Sequence, residues 1–158
     1  MAESLSDVIM RMFEQAAGNY HRLLIVVAPA GAGKTSALQE VHKRTGAPLL
    51  NINLDLSRQL LDLTGRQRAI SLPRLLGEII GGIEGEMVLL DNIEMLFDVS
   101  LMQDPLRLLQ NLSRNKTLVV AWSGIIDKGH LVYATPDHPE YKRYPIRDFL
   151  TANTEVTA

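Results

Sequence analysis

The sequence predicts an α/β fold, a mostly parallel sheet of about five strands with helices on both faces. Three observations predict it. Apolar runs of strand length alternate along the chain with segments of helical periodicity. The first strong run, Leu23 to Val27, is apolar at every position, as a central parallel strand covered on both faces should be. It then leads directly into a glycine-rich turn and a helix, Ala28-Pro-Ala-Gly-Ala-Gly-Lys-Thr35. With 158 residues and 46% hydrophobic content, the chain can bury one substantial core. A single domain over 1–150, opening with an amphipathic helix, and a flexible tail at 151–158 are expected.

In order, Leu5, Val8, Ile9, Met12, Phe13 and Ala16 recur at helical spacing behind a Ser4 or Ser6 cap, and Gly18 closes the segment. After the first strand and its turn, a helix runs from about Lys34 to Arg44 and stops at Gly46. A second strand is expected over Pro48 to Leu54, then a helical turn around Leu56 to Leu63. Thr64 to Ala69 reads as a loop, and Leu72, Leu75, Leu76, Ile79, Ile80 and Ile83 mark a helix behind Ser71. The third strand is Glu86 to Asp91. Asp104 and Pro105 form a strong helix start, a cap followed by proline at the first helical position. Thr117 to Ser123 is the fourth strand, and His130 to Ala134 a shorter one.

Composition narrows the function classes. A formal net charge of −2 gives no global attraction to nucleic acid or anionic membrane. The absence of cysteine excludes disulfides and thiolate metal sites and suits a reducing cytoplasm. No apolar run approaches the roughly 18 residues of a membrane span, and the acidic start reads as no targeting signal. The histidines lack zinc-ligand spacing.

The turn after the first strand carries the chemistry. Gly31, Gly33, Lys34 and Thr35 stand in register for the Gly-Lys-Thr of a P-loop, so the P-loop NTPase fold is expected. A triphosphate needs donors from several directions at close range. Residues Pro29, Ala30, Gly31, Ala32, Gly33, Lys34, Thr35 and Ser36 would supply them, mostly as backbone N–H groups free of bulky side chains. Lys34 would reach the β and γ phosphates of ATP, and the Thr35 hydroxyl would hold Mg2+. The motif's first glycine is replaced by Ala28, a slot that needs little beyond low bulk.

Such a loop needs a carboxylate at the tip of a neighbouring strand to hold magnesium, and Met87-Val-Leu-Leu-Asp91 provides Asp91. In ATPases of the AAA+ type the next residue is usually glutamate; here it is Asn92, and Glu94 stands three positions beyond Asp91. Glu94 either polarises the attacking water or caps a short helix over Ile93 to Phe97. ATP binding is therefore better supported than fast hydrolysis. In the additional-strand (AAA+/RecA-like) class the following strand lies between the P-loop and aspartate strands, and Ser123 at its tip would sense the γ-phosphate or merely start the Ser-Gly turn. Arg107 and Arg114 line the polar face of the helix before it; Arg114 is the candidate trans-acting arginine, with plain surface as the alternative. The helical lid usual in AAA+ modules is expected to be absent.

Two further features stay open. The run His138 to Pro145 interleaves aromatic and basic residues that can stack bases, but a proline-pinned surface loop is the favoured reading. Asp55, Arg58, Arg66 and Arg68 suggest a small-molecule kinase, but only Arg143 and Arg147 follow Ser123 as lid arginines.

Taken together, Ala28 to Thr35, Leu90-Asp-Asn-Ile-Glu-Met-Leu-Phe97, Gln103-Asp-Pro-Leu-Arg-Leu-Leu-Gln-Asn-Leu-Ser-Arg114 and His138-Pro-Glu-Tyr-Lys-Arg-Tyr144 resemble the BrxF family, small P-loop proteins of type III BREX phage-defence systems. The Asp-Asn-Ile-Glu and Gln-Asp-Pro-Leu-Arg stretches carry the resemblance. It implies a bacterial cytoplasmic protein acting beside a larger ATPase, a DNA methyltransferase, a helicase and a phosphatase-like component. It also implies nucleotide and magnesium roles for Lys34, Thr35 and Asp91, with Glu94 as a catalytic candidate. The expected function is an ATP-binding, hydrolysing AAA+-like protein that forms nucleotide-dependent homo-oligomers, with weak or assembly-dependent turnover. The alternative is a nucleotide-switched scaffold with negligible hydrolysis. Direct contact with DNA would need the Tyr141 to Tyr144 run or a ring that gathers several copies of it.

Overall fold

The computed structural model describes residues 4–153. Helix α1 (Leu5–Ala17) starts on Ser4, whose side chain accepts from the Asp7 amide, and strand β1 (Leu23–Ala28) follows. Helix α2 (Lys34–Thr45) ends on Gly46 in the left-handed region, and β2 (Leu49–Asn51) passes directly into α3 (Ile52–Leu60). The expected strand to Leu54 is cut short because Asn51 caps a helix, accepting from the Leu54 amide, and Ile52, Leu56 and Leu60 bury one helical face.

Helix α4 (Gly65–Gly81) corrects the loop expected at 64–69. Thr64 and Gln67 form a reciprocal capping box, each side chain bonding the other residue's backbone, so the helix starts six residues before Ser71 and carries Pro73 inside it. Strand β3 (Met87–Asp91) is followed by two short 3₁₀ turns, Glu94–Phe97 and Val99–Leu101. Helix α5 (Pro105–Leu112) is capped by Asp104 as its sequence predicts, and β4 (Thr117–Ser123) has the expected bounds.

Five strands form one parallel sheet in the order β2-β3-β4-β1-β8, where β8 is Leu150–Ala152. Strand β4 lies between β1 and β3. Thr151 and Ala152 pair with Ile25 and Val26, so the tail expected from 151 is sheet through Ala152; Asn153 follows without regular structure, and 154–158 lie outside the described residues. A second, antiparallel sheet holds β5 (Ile125–Asp127), β6 (His130–Tyr133) and β7 (Lys142–Pro145). The run at 138–145 is therefore partly strand, not a surface loop throughout.

Alternation along β1 explains why every position is apolar. Leu24 and Val26 join a core with Leu38 and Val41 of α2 and with Val8 and Ile9 of α1. Leu23, Ile25 and Val27 face the other core, with α3, α4, α5 and Trp122. Both faces are covered by helices, and each fully buried aliphatic side chain contributes about 1.5–3 kcal/mol. Among the described residues no helix is long and apolar enough to cross a membrane.

Candidate functional site

Parallel strands end their carboxyl tips on one edge, and three neighbours in this sheet bring the sequence-predicted residues together there. Asp91 closes β3, Ser123 closes β4, and Ala28 closes β1 opposite Ser123. The open edge of such a sheet, beyond the strand tips, is where ligands bind in α/β folds. A polar cleft of about 430 Å³ lies there, lined by Ala30, Gly31, Gly33, Lys34, Thr35 and Ser36 of the loop and by Asp91, Asn92, Glu94 and Ser123.

The loop has the backbone that its glycines allow. Gly31 and Gly33 sit at φ of 77° and 94°, where a β-carbon would be strained. Ala28, the residue in place of the motif's first glycine, ends a regular strand and has no positive φ, so alanine fits. Gly33 caps α2 without any side-chain hydrogen bond. The first residues of that helix, Lys34, Thr35 and Ser36, line the cleft, which puts the positive end of the helix dipole at it, an arrangement that suits an anion.

Lys34 is buried, and its ammonium donates to the carbonyls of Ala28 and Pro29, both at 2.9 Å. Desolvation lowers its pKa, while the carboxylates of Glu94 and Asp91 act in the opposite direction. The Thr35 hydroxyl donates to Asp91 Oδ2 at 2.7 Å, and the Asn92 amide donates to Asp91 Oδ1 at 2.9 Å. Thr35 and Asp91 thus present hard oxygen donors side by side, the chemistry that magnesium takes. Among the described residues there is no group of three or more His, Cys, Asp or Glu that could hold a metal alone. A cation here would complete its shell with phosphate and water oxygens, as magnesium commonly does.

Glu94 opens the first 3₁₀ turn and lines the cleft. One residue that sequence reasoning missed secures it. Asn53, in the first turn of α3, donates from Nδ2 to Glu94 Oε2 at 3.5 Å and accepts from the Met95 amide at 2.8 Å, while its own amide donates to the Asn92 carbonyl. The turn's far end is fixed by aromatics. Phe97 stacks on Tyr133 of β6 with centroids 3.6 Å apart, and Trp122, next to Ser123, meets both rings edge-on. Burial pushes the Tyr133 hydroxyl up to about 12, with Glu140 and Glu94 adding to it. The small antiparallel sheet is therefore a buttress of the cleft.

Arg114 lies at the other end of the sheet, after α5 and before β4, with its guanidinium 4.7 Å from the Tyr20 ring centroid. It is outside its own cleft, and Arg107 is likewise exposed away from it. In the aromatic-basic run, Tyr144 packs edge-on against Trp122 and donates to Asp104 at 2.8 Å, and Arg143 pairs with Asp127 at 3.1 Å. Two of its groups are thus committed within the protein. No family model matches this chain, and no similar curated protein or solved structure is found.

Proposed function

We propose that the chain binds ATP with magnesium in this cleft and hydrolyses it slowly, as a reduced AAA+-like ATPase whose turnover depends on self-association. The observation that carries the reading is the convergence of Lys34, Thr35 and Asp91 on one cleft, with Thr35 and Asp91, 56 residues apart in sequence, hydrogen-bonded to each other. The strand order, with β4 between the loop strand and the aspartate strand, is the order expected of the additional-strand class.

In this reading Lys34 exchanges its two carbonyl partners for β- and γ-phosphate oxygens, and the amides of Gly31 to Ser36 surround the β-phosphate. Magnesium, when bound, would neutralise phosphate charge; Thr35 and Asp91 are the residues that would hold it. Glu94, steadied by Asn53, accepts a proton from the attacking water. Ser123 donates to the γ-phosphate from the tip of β4. Arg114, remote from its own cleft, would act on a neighbouring subunit's nucleotide. The likeness to the BrxF family extends the proposal to bacterial phage defence beside a larger ATPase and a methyltransferase, with any contact to DNA made through the assembly.

A specific observation favours the scaffold alternative. Asn92, in the left-handed region at φ 54°, lines the cleft where an AAA+ protein would carry its glutamate, and an amide is no general base. Phosphate release measured across a protein concentration series separates the two. Turnover per molecule that rises with concentration and drops at least tenfold in Glu94→Gln supports the ATPase. Flat, negligible release alongside ATP binding supports the scaffold.

A further inference from the structure

The loop has a second flank. Beside the phosphate cleft, and lined by other residues of the same loop, lies a mostly apolar notch of about 290 Å³ whose lining includes Pro29, Ala32, Ile125, Ile126 and Asn153. Loop residues divide between the two spaces, with Ala30, Gly31 and Gly33 lining the cleft and Pro29 and Ala32 lining the notch. Neighbouring Cα atoms are about 3.8 Å apart, so the notch begins one residue away from the amides that face the phosphates. Its origin is in the fold. The Gly124 amide donates to the Ala28 carbonyl, which carries the chain leaving β4 across the tip of β1 and sets β5 over the loop. Ile125 is left 53% exposed there.

On the nucleotide reading above, on which this inference rests, a molecule anchored by its phosphates still has a flat heterocycle to place. We propose that this notch holds the base of the bound nucleotide and that the base is adenine. The notch has the volume of roughly ten waters at about 30 Å³ each, room enough for a purine. Pro29, Ala32, Ile125 and Ile126 supply apolar surface for the ring, and covering Ile125 removes apolar area from water. The Asn153 amide supplies one acceptor and one donor side by side. Adenine matches it with the N6 donor and N7 acceptor of its imidazole-side edge, whereas guanine held by that same edge presents two acceptors, N7 and O6, and leaves the amide oxygen facing a lone pair. A preference for ATP over GTP of about tenfold follows, which is about 1.4 kcal/mol.

The test is calorimetry on the full chain with magnesium and three probes: ATP, GTP and inorganic tripolyphosphate. Wild type should bind ATP about tenfold tighter than GTP and bind tripolyphosphate more weakly than ATP. Ile125→Ser, at an exposed position, should weaken ATP several-fold, and Asn153→Leu should remove the ATP/GTP difference. Neither should change tripolyphosphate binding. If both variants keep the wild-type ATP affinity and base preference, or if tripolyphosphate binds wild type as tightly as ATP, the base lies elsewhere and the inference fails while the phosphate site stands. If wild type binds none of the three probes, both readings fall.

Discussion

Replacing Asn53 separates what holds Glu94 from what holds the turn around it. Its Oδ1 is the acceptor for the Met95 amide, and its Nδ2 sits 3.5 Å from Glu94 Oε2. Asn53→Ala leaves the half-buried Met95 amide without that partner, a loss of about 1–3 kcal/mol. In a chain of this size that lowers Tm by roughly 2–4 °C per kcal/mol. Asn53→Asp keeps the acceptor but sets a second carboxylate oxygen at the 3.5 Å position. Two full charges at that separation repel by roughly 1 kcal/mol at the dielectric of water and about 5 at an effective value of 20; a half-buried position falls between. The sign then fixes the pH dependence. A like-charge pair favours the neutral form, so its pKa in the folded state rises above the unfolded values near 3.9 and 4.3, and stability is retained at low pH and lost as pH rises. Urea unfolding should therefore find Asn53→Asp close to wild type at about pH 4 and more stable than Asn53→Ala, then falling below wild type by about 1–5 kcal/mol between pH 4 and 8. A deficit that does not change with pH, or an alanine variant as stable as wild type, would refute the contact.

Three other perturbations test the fold that supports the site. A β-carbon at Gly124 would collide with the Val132 carbonyl oxygen of β6 and lie 2.9 Å from Trp122 Nε1, so Gly124→Ala should push β6 and the Trp122 ring away from the turn between β4 and β5 and cost several kcal/mol; the chain's one tryptophan, fully buried, reports this as a red-shifted emission in the native state. Thr64→Ala breaks the capping box of α4 and should cost about 0.5–2 kcal/mol by chemical denaturation, whereas Ser71→Ala, inside the helix, should leave the cap untouched. The Asp7 carboxylate, bonded to Arg44 at 2.9 Å and held further by a Ser4 side-chain hydrogen bond, titrates below its ordinary value; its contribution is present above about pH 4 and lost as pH falls through the folded pKa, and a carboxyl carbon titration of wild type against Arg44→Ala should show the Asp7 midpoint moving up in the variant.

The parts of the fold legible in the sequence are those whose signal is local and repeated. Strands β1, β3 and β4 are runs of Leu, Ile and Val buried on both faces, and Asp104 with Pro105 announces α5 from two residues alone. Elements whose signal is short or shared with loops were not legible. The start of α4 reads as a loop because Thr64 to Arg68 is polar with glycine at 65, although the Thr64–Gln67 spacing of a capping box was there to be read. Strands β5 and β8 have three residues each, too few for any periodicity, and they form only because β6 and β1 offer them partners. The candidate site divides the same way. Loop and aspartate lie at strand ends and are visible as motifs, whereas Asn53 acts on residues 41 and 42 positions away and has no local mark.

The central claim is that the Lys34 ammonium and the Asp91 carboxylate serve one magnesium-bound triphosphate. Calorimetric titration of wild type and Lys34→Ala with Mg-ATP tests it most directly. The account predicts saturable binding at one site per chain in wild type and none in the variant, because hydrogen bonds from a charged donor to two phosphates are worth about 1.5–3 kcal/mol each. A folded Lys34→Ala protein that binds Mg-ATP with wild-type affinity would contradict it.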